Sequence, residues 1–362
     1  MVCQWLIALP GINYFNFTMP VADNKYFTRE HIEANRREAP AALAEQAVLC
    51  LELVAELAGE GLDFCFKGGN SLLVLLTDPR RFSIDVDIAT GESKERISEC
   101  LEAALSKHRM FTRVTHRQHK TKPWLPMTSY EIYYDSVFPA SGESFIMLDA
   151  MLKKSGYPLV KRKVACGDLY ASAAEAFLPA VESLLADKLL TLGPGTLGIP
   201  LGRKKEAQRL KHGHDISLLM TKRPDLDLLR RALCLCLDAE NGLQEKKCTL
   251  AEVLKDTLAF CASPLDYAAE PSLEGLSGGM REIVYGRRPF EEHLFKRDYP
   301  WARLQLDLAR AALCLYAAWD NNVDNDGFHP ALDFTDAALI WKRIALWHGR
   351  DPFTHDLTSP LE

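Results

Sequence analysis

The stretch 62–89 constrains the fold of this chain more than any other part of the sequence. It reads LDFCFKGGNSLLVLLTDPRRFSIDVDIA, and its first apolar run predicts a strand that ends at Lys67. Gly68-Gly69 predicts a turn, because glycine adopts backbone conformations closed to other residues and lets the backbone approach a ligand closely. A helix is predicted to begin near Asn70, and the unpaired N–H groups of a helix N-terminus attract phosphate. The first half of the stretch is therefore a candidate phosphate site.

The second half of the stretch predicts a strand with two acidic residues on one face. Asp85 and Asp87 lie two positions apart, so their carboxylates project from the same side of a strand. Carboxylates beside a phosphate site are the ligands that Mg²⁺ or Mn²⁺ requires. Asn70 or Ser71 can cap the intervening helix or donate a hydrogen bond to a phosphate oxygen. Either short motif alone is usually structural, but together they predict metal-assisted phosphate chemistry.

Residues 66–72 (FKGGNSL) and 81–87 (RFSIDVD) resemble the AbiEii/AbiGii toxin family of the DNA polymerase beta-like nucleotidyltransferase superfamily. The usual sequence in that family is FKGGTSL followed by RFSEDIDL. Asn70 replaces the usual Thr and Ile84 the usual Glu, and neither change removes the chemistry. The resemblance implies these nucleotide-binding residues: Lys67, Gly68, Gly69, Asn70, Ser71, Arg81, Ser83 and Lys188. It implies that Asp85, Asp87 and Asp149 hold the metal.

Asp149 is the candidate for the third carboxylate of the family. It ends an apolar run within the predicted strand 143–152, where the resemblance implies an acid that shares the metal and acts as base toward the attacking hydroxyl. The alternative is an ordinary acid at a strand terminus.

The resemblance extends with less specificity into a predicted helical region. Lys188 lies in LLADKLLTL within a predicted helix at 173–192, and its apolar flanks favour a nucleotide phosphate as anionic partner over a lysine that reaches solvent. Lys211 and Asp215 match the fourth family motif, and Asp215 either orients Lys188 or deprotonates the acceptor. His212 stands where an Asp is common, which bears on nucleotide selectivity. The Gly- and Pro-rich loop 193–200 is interpreted as a mobile flap.

A basic block at 107–124 contrasts with the net charge of −6 of the whole chain. Two interpretations stay open: charges that protect a strand edge, or a surface that binds RNA phosphates. The RNA-binding candidates are Lys107, Arg109, Arg113, Arg117 and Lys120. The further cations at 281–297, which include Arg281 and Arg288, are interpreted as solvated surface.

The expected fold is α/β (α+β): a nucleotidyltransferase core with a mixed sheet, followed by an all-helical C-terminal region. The expected divisions are an extension of uncertain role at 1–27, the core at 28–170, and a helical region at 171–362 that contributes Lys188 and Asp215 to the cleft. The segment before Met19 is interpreted as an extension or an upstream start. Scattered cysteines without a CxxC pair, and no long apolar stretch, predict a reduced cytoplasmic protein without a membrane span.

The resemblance implies a Mg²⁺-dependent nucleotidyltransferase toxin of a type IV-like toxin–antitoxin or abortive-infection system. An NTP would be the donor and the 3′ end of tRNA the acceptor, and the partner would be a winged-helix antitoxin encoded nearby. Two alternatives stay open: an enzyme of the same fold that modifies a protein or small-molecule hydroxyl, and a nucleotide-binding regulator without turnover.

Overall fold

A computed structural model describes residues 21–107, 110–117, 125–139 and 142–349. In these ranges one mixed sheet has the strand order β3-β4-β5-β2-β1-β7-β6. Its strands are β1 (Phe64–Lys67), β2 (Asp85–Thr90), β3 (Phe111–Arg117), β4 (Met127–Tyr134), β5 (Ser144–Met151), β6 (Leu159–Cys166) and β7 (Tyr170–Pro179). The pairs β1–β7 and β2–β5 are parallel and the other neighbours are antiparallel. The predicted core with a mixed sheet is confirmed.

Helices lie behind the sheet and fill the C-terminal half of the described chain. Those associated with the sheet are α1 (Arg29–Asn35), α2 (Ala41–Gly59), α3 (Leu72–Leu75) and α4 (Lys94–Lys107). The C-terminal region contains α5 (Val181–Leu189), α6 (Glu206–Met220), α7 (Leu226–Gln244), α8 (Leu250–Ala262), α9 (Gly278–Glu291), α10 (Trp301–Trp319), α11 (Asn325–Leu332) and α12 (Ala337–Trp347). The predicted helical C-terminal region is confirmed.

Two hydrophobic cores organise the molecule. In the first core, α2 and the inward faces of the strands pack together, with Phe66, Val86 and Ile146 fully buried. The second core surrounds α10, which is buried along most of its length. The single turn of α3 joins the two, because Leu72 packs in the second core and its neighbour Leu73 in the first. The burial of apolar surface therefore continues from the sheet into the helices.

A short segment after α9 also fastens the helical region to the sheet region. The backbone N–H of Phe82 donates to the carbonyl of His293 at 2.9 Å, and the N–H of Phe295 donates to the carbonyl of Arg80 at 2.8 Å. The Phe82 and Phe295 rings lie 4.5 Å apart between centroids. These contacts hold the residues that precede β2 against the C-terminal half.

Two predicted helices differ from the structure. The predicted helix at 173–192 is instead strand β7 followed by α5, so the sheet continues past the expected core boundary at residue 170. The alanines of β7 favour a helix locally, but pairing with β1 and β6 overrides that preference. The helix predicted near Asn70 is only the turn α3, because Leu76 is already extended before Pro79.

Loop 193–200 is hydrogen-bonded rather than a free flap. The N–H groups of Gly195 and Thr196 both donate to Oδ2 of Asp256 at 2.8 Å. Nη1 of Arg209 donates to the carbonyl of Leu192 at 2.8 Å. The Gly and Pro content correctly predicted a loop, and these hydrogen bonds anchor the loop to α6 and α8.

The cysteines in the described ranges are free thiols and most of them are buried. None of the helices described there is both long and apolar enough to cross a membrane.

Candidate active site

Three neighbouring strands bring the predicted acidic residues to one end of the sheet. In the parallel pair β2–β5, Asp87 lies directly opposite Asp149, and in the antiparallel pair β1–β2 it lies opposite Lys67. Paired residues of adjacent strands project from the same face, so these side chains form one row. Asp85 lies two positions before Asp87 and is the most exposed of the three acids.

The Gly68-Gly69 turn closes over this row. Gly68 has φ +73°, and a Cβ atom at this position would lie 1.9 Å from Oδ2 of Asp87. A Cβ atom at Gly69 would lie 2.8 Å from Nη2 of Arg81 and 2.9 Å from Oγ of Ser83. Both glycines are therefore required by close approach, and the turn, Arg81, Ser83 and Asp87 form one continuous surface.

Asn70 and Ser71 do not face that surface with their side chains. Both are fully buried, and Oγ of Ser71 donates to the carbonyl of Gly68 at 2.8 Å. Neither residue lines the cleft. The predicted phosphate contacts of these two side chains are therefore corrected: Ser71 holds the glycine turn in place. Since α3 has a single turn, a helix dipole contributes little here.

A buried ion triad forms the wall of the cleft opposite the strands. Nε and Nη2 of Arg81 donate to the two carboxylate oxygens of Asp215 at 2.7 and 2.6 Å, and Nζ of Lys188 donates to Oδ2 at 2.7 Å. Burial alone would raise the pKa of Asp215, but the two cations hold it well below its usual range. The anionic partner that compensates the burial of Lys188 is thus Asp215, and Asp215 is too weak a base to deprotonate an acceptor.

Further charged groups next to the triad were missed or only partly recognised in the sequence. Asp187 raises the pKa of Lys67, so this lysine stays charged despite its burial. Burial and the charge of Arg81 lower the pKa of Lys211 to about 8. Burial and Lys188 hold the pKa of His212 well below its usual value, so this imidazole is neutral. The signal for Asp187 was its place immediately before Lys188.

The carboxylates of the acidic row lie close enough to one another to affect their protonation. Burial, together with the charges of Asp149 and Asp85, raises the pKa of Asp87 to about 7. As positioned, no group of three or more acidic, histidine or cysteine side chains in the described part of the chain forms a ready-made metal site. Mg²⁺ rarely needs one, since it binds through one or two carboxylates together with substrate phosphates. Asp85 and Asp87 fit this kind of site.

Two cavities meet at Asp85. The first, of about 530 Å³, is lined by Gly68, Gly69, Asp87, Lys188 and Lys211 among others, and we call it the nucleotide cleft. The second, of about 550 Å³, is lined by Asp149, Arg117, Gln46 and Phe145 among others, and we call it the outer cavity. Lys205 and Asp85 line both. A larger cavity of about 880 Å³ lies behind Phe82 and contains none of the predicted site residues.

The structure separates the predicted RNA-binding cations. Nζ of Lys107 lies 3.4 Å from Glu56 and also contacts Glu60, while Nη2 of Arg113 lies 2.8 Å from Glu143. Both cations already have anionic partners: Lys107 pairs with residues at the end of α2, and Arg113 in β3 pairs with the residue that precedes β5. Arg117 is exposed and faces the outer cavity beside the acidic row. Arg109 and Lys120 lie outside the described residues.

Comparisons with known proteins find matches to nucleotidyltransferase toxins. A family model described as nucleotidyl transferase AbiEii toxin, type IV TA system, matches residues 52–274, more than half of the 362 residues. No curated protein matches the sequence. The solved structure of MenT4, a nucleotidyltransferase toxin from Mycobacterium tuberculosis H37Rv, has a TM-score of 0.51 at 15% identity. The alignment covers 90% of this chain and 99% of that one, and at this identity the likeness concerns the fold alone.

Proposed function

Because the chain belongs to the AbiEii family of nucleotidyltransferase toxins of type IV toxin–antitoxin systems, we propose that its reaction is the Mg²⁺-dependent transfer of nucleotides from an NTP to the 3′ end of tRNA. The observation that carries the proposal is the meeting of two cavities at the acidic row. One is lined by the glycine turn and lysines, and the other by an arginine and an exposed aromatic ring. A donor and an acceptor can therefore approach the same carboxylates from opposite sides.

The nucleotide cleft provides the groups that a triphosphate needs. Gly68 and Gly69 leave the backbone open to phosphate oxygens, since neither carries a side chain that would cover it. Lys188 is fixed by Asp215, and Lys211 adds a second ammonium group on the same wall. Preorganised cations of this kind stabilise negative charge as it develops on phosphoryl oxygens.

Asp85 and Asp87 would hold Mg²⁺ or Mn²⁺ together with phosphate oxygens, and Asp149 would share a second ion. The metal, when bound, neutralises phosphate charge and polarises the α-phosphorus. Asp149 faces the outer cavity and accepts a hydrogen bond from Oγ of Ser129. In this position it can accept the proton of the acceptor hydroxyl. The hydroxyl oxygen forms a bond to the α-phosphorus, the bond to the β-phosphate oxygen breaks, and pyrophosphate leaves.

The lining of the outer cavity favours an RNA end. Phe145 is 37% exposed, and its ring, which lies 5.5 Å from that of Tyr133 between centroids, extends an aromatic surface on which a base can stack. Arg117 can bind a backbone phosphate next to it. An unpaired 3′ end presents both a free base and a terminal hydroxyl, and it therefore matches the cavity better than a duplex.

The family membership implies an antitoxin partner. We propose that this partner is the winged-helix type encoded nearby, and that toxin and acceptor meet in the cytoplasm.

The test is a transfer assay with purified protein, Mg²⁺, each labelled NTP in turn and total tRNA. We expect label in tRNA, and none with the Asp85→Ala/Asp87→Ala double variant. Label on a protein or a small molecule instead would support an enzyme of the same fold with another acceptor. NTP binding without pyrophosphate release would support a regulator and contradict the proposal.

A matched pair of variants tests the acceptor side. Arg117→Glu should lower transfer to tRNA at least tenfold, whereas Arg113→Glu, on the same strand but already paired with Glu143, should change it less than threefold. Equal effects of the two would argue against the outer cavity as the acceptor site.

A further inference from the structure

We propose that the base of the incoming NTP stacks on the ring of Tyr285 in α9. This inference rests on the proposed function and adds the residue that binds the nucleobase. Tyr285 is 53% exposed and lines the nucleotide cleft. No residue in the described ranges forms a hydrogen bond or a ring contact with it. A large aromatic ring thus lies uncovered inside the cleft that holds the glycine turn.

The position of Tyr285 is fixed by close packing of α9 on α6. A Cβ atom at the next residue, Gly286, would lie 2.7 Å from the carbonyl carbon of Glu206. Only glycine permits this approach, and Gly286 is buried in the contact. The helix backbone beside Tyr285 is therefore held rigidly against the first turn of α6, next to the exposed Lys205.

The ring of Tyr285 lies in the cavity proposed for the NTP donor, not in the one proposed for the acceptor. Tyr285 lines the same cavity as Gly68, Gly69 and Lys188, and it does not line the outer cavity. With the triphosphate at the glycine turn, the base lies farther along this cleft, toward its exposed wall. Stacking on an aromatic ring suits any base, since each has a π-face.

The charges around Tyr285 fit a nucleotide as well. Arg281 lies one helical turn before it and Arg288 nearly one turn after it, and all three are exposed on the same face of α9. The sequence alone favours a solvated surface for these arginines. Their place beside an exposed ring at the cleft instead gives an aromatic platform with cationic edges.

The test measures binding without turnover. The unaltered protein, Tyr285→Ala and Tyr285→Phe are titrated calorimetrically in Mg²⁺ with each NTP and, separately, with inorganic tripolyphosphate. We expect Tyr285→Ala to weaken NTP binding roughly 5- to 100-fold, the range for loss of one base–aromatic stack. Its affinity for tripolyphosphate should stay unchanged, and Tyr285→Phe should bind both ligands like the unaltered protein. Leu346→Ala, which removes another exposed apolar side chain outside the cleft, is the control.

Three results would overturn the inference. The first is full affinity of Tyr285→Ala for NTP, the second an equal loss of affinity for both ligands, and the third an NTP affinity no lower than that of Tyr285→Phe. Loss of both ligands would assign Tyr285 a structural role. The proposed function fails separately. If NTP binding depends on Tyr285 but no label is transferred to tRNA, the stacking of the base on Tyr285 is supported and tRNA is excluded as the acceptor. Failure of the unaltered protein to bind any NTP would overturn both.

Discussion

At the scale of single residues, the cations of the nucleotide cleft are fixed by carboxylates that come from the helical region. Lys188 and Arg81 share Asp215, and Lys67 is stabilised by Asp187. The side chains of Lys188, Arg81 and Asp215 are almost completely buried, so the triad has lost most of its hydration. Such a cluster offsets the cost of desolvation only when every charge has a well-placed partner. Removal of one charge therefore leaves the others uncompensated and destabilises the protein.

Asp215→Asn is expected to destabilise the protein more than Lys188→Met does. The first change leaves two buried cations with a neutral amide and should cost about 3–5 kcal/mol, whereas the second leaves the bidentate Arg81–Asp215 pair intact. Urea unfolding of both variants measures the difference. Lys188→Met should nevertheless lower transfer by roughly 10²–10³-fold, which is the loss typical of one preorganised charge contact. Equal free energies of unfolding would show that the triad is not the structural unit described.

Asp87→Asn should abolish transfer. It should also remove a pH-dependent loss of stability from the metal-free protein. The folded-state pKa of Asp87, about 7, lies above its ordinary value of 3.8, so the folded protein binds this proton more tightly than the unfolded chain does. Its contribution to stability therefore improves as pH falls from about 7 toward 4 and is unfavourable above 7. The Tm of the metal-free variant should exceed that of the unaltered protein at pH 8, and the difference should shrink toward pH 5. Saturating Mg²⁺ should raise the Tm of the unaltered protein only.

Lys211 should set an alkaline limit to activity. Its pKa of about 8 means that the ammonium form is lost as pH rises through that value, and with it one positive charge in the nucleotide cleft. We expect kcat/KM for NTP to fall about tenfold per pH unit above 8, since this parameter reports the free enzyme. Lys211→Arg stays charged and should move the fall well above pH 9. A profile that does not differ between the two proteins would exclude Lys211 as the group responsible.

At the scale of elements, the site depends on packing that local sequence does not encode. The glycine turn and the Asp-x-Asp strand were predictable because each is a short pattern with a direct steric or chemical reason. β7 was not, since its alanines favour a helix and only pairing with the neighbours β1 and β6 makes it a strand. α9, which carries Tyr285, was also missed. The ion pair of Arg81 with Asp215 spans 134 positions and has no signature in the spacing of the chain.

The contact of α9 with α6 can be tested by a pair of glycine substitutions in the same helix. Gly286→Ala places a methyl group against the backbone of Glu206, and we expect a loss of about 1–3 kcal/mol from overpacking, together with weaker NTP binding. Gly279→Ala meets Phe260 at an ordinary 3.6 Å and should be neutral or stabilising by up to about 1 kcal/mol, because alanine favours a helix. Thermal unfolding and NTP titration of both variants give the comparison. Similar stability and NTP affinity of the two variants would show that α9 can move away from α6 without a loss of stability.

At the scale of the whole molecule, the proposed RNA acceptor is a polyanion, whereas the protein itself carries a net negative charge. The net charge is −6, and two of the predicted RNA-binding cations, Lys107 and Arg113, are already paired with carboxylates. The affinity for RNA should therefore depend only weakly on salt. Two phosphate contacts, by Arg117 and Lys205, correspond to a slope of about −1.4 for log K against log salt, whereas five would give about −3.5. Binding of labelled tRNA at several salt concentrations to the Asp85→Ala/Asp87→Ala variant measures the slope. A slope near −3.5 would support the alternative that the basic block at 107–124 binds RNA.

The Arg81–Asp215 pair also has a consequence for the order in which the protein becomes active during its own synthesis. Ribosomes add about 5–20 residues per second, so the acidic row leaves the ribosome on the order of ten seconds before α9 does. Until Lys188, Asp215 and α9 have emerged, the nascent chain has the carboxylates proposed to bind metal but neither the fixed lysine nor the far wall of the cleft. An enzyme that consumes the proposed acceptor, tRNA, would halt the translation that produces it. The order of these parts along the chain therefore delays activity until α9, at Gly278–Glu291, has left the ribosome.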